Sequence, residues 1–179
     1  MIEVEGNRIR IKDAKVIPAL KNFGGIKFGS NGSRDFMIML DEEQAAILSE
    51  RGYNITYYKK HITDEDGNET IEVIPELKIK LRVDKFAPDI KIYFGSYHGV
   101  ERVMSAPINS RDPEAAAKIA QYESNVDELD RFRFLECAIA FTPYNWSTPT
   151  KSGTSAYLKT MYVVVPKPDF EDLFVEEEE

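Results

Sequence analysis

A chain of 179 residues, 42% hydrophobic and 30% charged, with 10 Gly and 9 Pro, is long enough for one domain with a sizeable core and excludes a fibrous or wholly disordered protein. A single cysteine, Cys137, excludes an internal disulfide and a cysteine-rich zinc site; the lack of an apolar leader, or of any run near the ~20 apolar residues that cross a bilayer, predicts a soluble intracellular protein. The net charge of −8 is uneven: the stretch from Asp169 to Glu179 holds seven acids and no base, so the rest of the chain is close to neutral.

The period of the apolar residues predicts the elements in turn. Ile9 and Ile11 alternate with Arg8, Arg10 and Lys12 as a half-buried strand. A basic, glycine-rich loop follows, KNFGGIKFGSNGSR, from Lys21 to Arg34. Gly24 and Gly29 have the spacing of a phosphate-cradling loop, but Ser30 and Asn31 stand where Lys and Ser/Thr are required, so nucleotide hydrolysis is not supported. Phe36, Ile38 and Leu40 mark a second strand. Asp41 then stands as an N-cap, with Glu42 and Glu43 in the first turn of a short helix that Gly52 ends.

YNITYYKK, from Tyr53, reads as a strand and DEDGN, from Asp64, as a turn. ELKIKLRV places Leu77, Ile79, Leu81 and Val83 on one face and Lys78, Lys80 and Arg82 on the other. IKIYF opposes Ile90, Ile92 and Phe94 to Lys91 and Tyr93. DPEAAAKIAQY begins a second helix, with Asp112 as N-cap and Pro113 at the first helical position. FRFLECAIAF and TSAYLKTMYVVV are the last strands, separated by a loop, TPYNWSTPTKSG. Parity in the final strand puts Ala156, Leu158, Tyr162 and Val164 in the core and Tyr157, Lys159 and Met161 outside. The sum is an all-β to α+β barrel or sandwich with two short inserted helices.

Two long windows contain no acid. Ala14 to Arg34 carries Lys15, Lys21, Lys27 and Arg34; Cys137 to Pro168 carries Lys151, Lys159 and Lys167 among Phe141, Tyr144, Trp146, Tyr157 and Tyr162. Cations beside rings suit a single strand of nucleic acid, because phosphates need positive charge and bases need π faces, each stacked base contributing ~1–3 kcal/mol. The same residues admit plainer readings. Alternating bases are ordinary on the wet face of an antiparallel sheet, Tyr53, Tyr57 and Tyr58 suit strand packing, and Trp146 can fold back onto the body. A β-rich adaptor or inhibitor acting through its acidic tail, without nucleic acid, is the competing class; a nuclease is a weaker third.

Catalysis finds little foothold. His61 and His98 are the only histidines and neither lies in a metal-binding motif; Cys137 sits in an apolar alternating strand as a small interior residue. The cluster Asp64, Glu65, Asp66 lacks the later ligands of a calcium loop. No enzyme activity, metal or cofactor is expected.

The run PYNWSTPTKSGTSAYLKTMYVVV, Pro143 to Val165, resembles the C-terminal hairpin of a family of bacteriophage single-stranded-DNA-binding proteins. KNFGG with its basic sequel, RDFMIML, YNI, ELKIKLRVD and PDIKIYF extend the resemblance from about Asn7 to Val165. It implies an OB-fold, a small Greek-key barrel, over residues 1–167, with 99–130 as a helical elaboration of unassigned role and 168–179 as a disordered acidic tail. The expected DNA-binding residues are Lys21, Phe23, Lys27, Phe28 and Arg34 of the first loop; Lys78, Lys80, Arg82, Lys91 and Tyr93 of the middle strands; and Tyr144, Trp146, Lys151, Tyr157 and Lys159 of the last hairpin. Phe170, Glu171, Asp172 and Phe174 of the tail would recruit replication or recombination proteins and compete with DNA for the basic groove. Such a protein works in the cytoplasm of the infected bacterial host, away from membranes, and a homo-oligomer is an open option.

Overall fold

In the computed structural model, residues 2–27, 29, 32–84, 86–105, 111 and 113–167 are described. The tail residues Phe170, Glu171, Asp172 and Phe174, the loop residue Phe28 and the expected cap Asp112 fall outside them.

Among the described residues, ten strands and two α-helices follow one another as β1 (Ile2–Glu5), β2 (Arg8–Ile11), β3 (Lys15–Val16), β4 (Arg34–Met39), α1 (Glu42–Glu50), β5 (Ile55–Thr63), β6 (Glu69–Leu81), β7 (Asp89–Phe94), β8 (Glu101–Met104), α2 (Ala115–Asp127), β9 (Glu136–Ser147) and β10 (Ser152–Val165). All strands join one sheet. Its main path runs β1-β2-β9-β10-β6-β4-β3, with β5 paired to β6, and β7 paired to β10 and β8. Apart from β1, the path begins and ends in one stretch of chain, since only three residues separate β2 from β3. Between them the Ala14 N–H donates to the Cys137 carbonyl of β9 at 2.8 Å.

Local rules account for most of these elements. The Asp41 carboxylate accepts from the Gln44 N–H at 2.7 Å and the Gln44 side-chain carbonyl accepts from the Asp41 N–H at 3.1 Å, a reciprocal cap that starts α1. Gly52, at φ 91°, ends it. Apolar alternation delivers Ile9, Ile11, Phe36, Ile38, Ile79, Ile90 and Ile92 to the core, each 2% exposed or less. Cys137 is buried there too, and burial pushes its thiol up to about 12, in keeping with an inert interior residue.

Three expectations need correction. First, the segment expected as a loop after Phe141 is mostly strand: β9 runs to Ser147 and β10 starts at Ser152, so only residues 148–151 turn. Pro143 is tolerated opposite Ala156 because β2 covers β9 only from Ile139 to Phe141, leaving the proline on an open edge. Second, α2 starts at Ala115 after Glu114, which makes no side-chain cap, rather than at Pro113.

The third correction is the parity of β10. Its register against β9 passes from Leu158↔Phe141 directly to Thr160↔Ala140, leaving Lys159 as an extra, bulged residue. Every later side chain therefore changes face. Met161, Val163 and Val165 turn inward at 0% exposure; of the two residues expected in the core beyond the bulge, Tyr162 is 39% exposed, while Val164 stays buried at 2%.

Candidate nucleic-acid interface

The parallel pairing of β6 with β10 sets Tyr157 beside Lys80. Asp35 of β4 opposes Lys80 on its other side, and Thr142 of β9 opposes Tyr157, so one row crosses four strands on the outer face of the sheet. Around this row opens a cleft of about 530 Å³ whose walls include Arg34, Arg82, Phe86, Tyr144 and Lys159. Tyr144, 59% exposed, meets Tyr157 edge to face with centroids 5.8 Å apart. Lys78 and Lys159 are exposed, and the Arg82 guanidinium lies 4.9 Å over the Phe86 ring while pairing with Asp84.

The hairpin of β9 and β10 extends beyond the cleft. Gly153 stands opposite Trp146, and the indole lies so close over it that a Cβ there would fall 2.7 Å from Cζ2. Glycine is what lets the ring rest on the neighbouring strand. Lys151 is exposed at the turn, where its backbone N–H donates to the Thr148 hydroxyl.

Among the described residues, one acid, Asp35, lines the cleft. Burial pushes the Asp35 carboxyl above its ordinary range, and Lys78 and Lys80 pull it part of the way back. The first acid-free window in the sequence, Ala14 to Arg34, stops one residue short of it.

Three of the first-loop residues expected on DNA, Lys21, Phe23 and Arg34, are interior. Phe23 is wholly buried, stacked on Phe36 at 4.8 Å and tilted against Phe134 at 5.8 Å, so no base can reach it. Lys21 is also interior: its Nζ donates to the Leu129 carbonyl at 3.1 Å and to the Phe132 carbonyl, and lies 4.4 Å from the Phe134 centroid. Burial lowers its pKa and the nearby Asp130 raises it. Lys27 is half-buried, with Nζ donating to the Lys21 carbonyl at 3.3 Å.

Arg34 is only 8% exposed in its side chain, and it donates to Phe23 O at 2.6 Å, Asp127 at 2.5 Å and Glu123 at 2.6 Å. The Asp130 carboxylate accepts from the Phe23 and Gly24 N–H groups at 2.8 and 2.9 Å. Lys21, Phe23 and Arg34 are therefore structural fastenings between this loop and the helical region ending at Asp130. That region, whose role the sequence left unassigned, anchors the loop beside the cleft.

Lys91 and Tyr93 gather elsewhere. Parallel pairing of β7 with β10 places Lys91 opposite Tyr162, its Nζ 5.6 Å from the Tyr162 centroid. Tyr93 meets Tyr162 at 6.4 Å and Tyr97 at 5.2 Å. Unbroken alternation assigns Tyr162 inward, and no sequence signal marks the bulge that turns it out.

Residues 2–177 match the phage ssDNA-binding domain family. The chain belongs to that family. Among solved structures, the family member is similar to three of the single-stranded DNA-binding protein from bacteriophage Enc34. The C-terminal truncation of that protein has a TM-score of 0.41 at 11% identity, covering 92% of this chain and 88% of the other. Another structure of the protein has a TM-score of 0.41 at 8% identity, with 93% and 85% coverage. Its complex with ssDNA has a TM-score of 0.37 at 10% identity, with 92% and 89% coverage. No curated protein matches the chain. Among the described residues, no helix of this family member is long and apolar enough to cross a membrane.

Proposed function

We propose that this chain binds single-stranded DNA without sequence preference and protects it during phage DNA replication and recombination, in the cytoplasm of the infected host. The observation that carries the reading is the row of Lys80 and Tyr157 across parallel strands, with Tyr144 and Lys159 in the same cleft. Bases stack on Tyr144, Tyr157 and Trp146, and phosphates meet Lys78, Lys80, Arg82, Lys151 and Lys159. The group of Lys91, Tyr93 and Tyr162 offers a second contact of the same chemistry. Binding is passive and has no bond-breaking step.

The sheet reads best as an OB-fold. Support comes from its strand order, from the parallel contact of β6 with β10, and from the return of the path to the chain segment that carries β2 and β3. On that reading the two loops that flank an OB-fold's binding face are residues 17–33 and 148–151. The acidic tail competes with DNA for the cleft and recruits replication or recombination proteins through Phe170 and Phe174, with Glu171 and Asp172 imitating phosphates.

Fluorescence anisotropy with a labelled oligothymidylate tests the proposal. With about four phosphates engaged, log K against log salt falls with a slope of about −3, and duplex competes poorly. Absence of binding at low salt, or equal competition by duplex, overturns it.

A further inference from the structure

The hairpin of β5 and β6 extends past the strands that cover its base. β4 pairs with β6 only from Glu76 to Leu81, so from Glu69 to Pro75 the strand partner of β6 is β5 alone. Among the described residues β5 has no second strand partner. The Pro75 carbonyl still accepts from the Leu40 N–H at 2.8 Å; beyond it, from Glu69 to Ile74, a two-stranded arm about 20 Å long has no further strand on either edge among the described residues.

Its side chains do not suit bare solvent. Tyr57 is 60% exposed, Tyr58 54%, Ile62 38%, Ile71 58% and Val73 52%. The register puts Tyr57, Ile71 and Val73 on one face and Tyr58 and Ile62 on the other, so both faces carry apolar groups. A two-stranded ribbon is marginally stable alone, and clustered exposed apolar residues mark a contact surface.

Charge selects the occupant. β5 carries Lys59 and Lys60, β6 carries Glu69 and Glu72, and the turn carries Asp64, Glu65 and Asp66. The acids of β6 and the tip disfavour a nucleic-acid backbone. Two copies joined β5 to β5 would set lysine against lysine, and β6 to β6 glutamate against glutamate. Only β5 against β6 sets bases opposite acids, as the register of Lys60 with Glu72 does inside the arm. That contact uses two different surfaces, so it does not close on a two-fold axis: it makes a ring or an open row, and an extended strand of DNA running past the copies favours the row.

We infer that the arm joins successive copies of this chain in a row, the β5 edge of one against the β6 edge of the next, and that this contact makes strand binding cooperative. The role in cooperativity rests on the single-strand reading above; the contact between copies does not.

The test compares wild type with Lys59→Glu and with Glu69→Lys, which alter opposite edges and spare the internal Lys60–Glu72 pair. Each protein is titrated with a short oligothymidylate that holds one copy and a long one that holds several. Wild type binds the long strand at least tenfold more tightly per copy than the short one, each variant loses that gain while keeping its short-strand affinity, and a mixture of the two variants recovers part of it. Equal per-copy affinity of wild type for both lengths, or variants as cooperative as wild type, overturns the inference. If wild type binds neither strand, the strand-binding reading fails instead. Sedimentation velocity without DNA then decides the contact: self-association that both variants weaken supports it, and a wild-type monomer at high concentration overturns it.

Discussion

The Arg34 guanidinium lies 2.5 Å from the Asp127 carboxylate, a bond between residues 93 apart in sequence that ties the rim of the cleft to the end of α2. Glu123 holds the other terminal nitrogen at 2.6 Å. An arginine so committed acts on the loop's position more than on phosphate. Arg34→Ala is expected to lower stability by about 2 kcal/mol, read as a shift of the urea midpoint at unchanged slope. The salt slope of strand binding should stay as in wild type; a slope shallower by nearly one unit would return Arg34 to the phosphate contacts.

Tyr157 and Lys159 flank the cleft from one strand and separate its two kinds of contact. Tyr157→Ala should weaken oligothymidylate binding by about 1–3 kcal/mol with little change in salt slope. Lys159→Glu should weaken it and flatten the slope. Identical salt slopes for the two variants would contradict the division of labour.

Asp35 gives the cleft a pH dependence. Its folded pKa is raised, chiefly by burial, and a neighbouring phosphate raises it further. Binding and proton uptake are therefore linked, so affinity rises as pH falls through the raised pKa and is flat well above it. Asp35→Asn should bind roughly fivefold more tightly at neutral pH and low salt, and should lose that dependence. Titrations from pH 7 downward check both; a variant that binds like wild type at neutral pH removes Asp35 from the interface.

Trp146, the one tryptophan, reports on its own position. Gly153→Ala places a methyl where the indole now lies, 2.7 Å from Cζ2, so the ring must leave its seat. Intrinsic emission should shift, and quenching on adding oligothymidylate should change in amplitude. An unshifted spectrum would mean that the hairpin yields at the backbone instead.

The acidic tail is tested by ending the chain at Pro168. Removing seven acids that compete for a basic cleft should tighten strand binding, most at low salt, where charge is least screened. Unchanged affinity across salt would remove the tail from this competition.

What the sequence determined by itself is short-range. Alternation places Ile9, Ile11, Leu77, Ile79, Ile90 and Ile92 inward, Asp41 caps the start of α1, and DEDGN turns β5 into β6, because each depends on neighbours within a few residues. The same alternation sets Tyr157 and Lys159 on the face opposite Ala156 and Leu158. Only the tertiary structure decided which cations remain open. Lys21 and Arg34 look like any loop base until carboxylates and carbonyls from residues 123–132 close on them, and Phe23 looks exposed until it stacks on Phe36. The fold likewise decided that Lys80 and Tyr157 share one row, since parallel strands distant in sequence carry no local sign of being partners. The bulge at Lys159 is the clearest case: one extra residue reverses the period-two pattern, buries Met161 and turns Tyr162 out beside Lys91, and it is visible only in the register of β9 against β10.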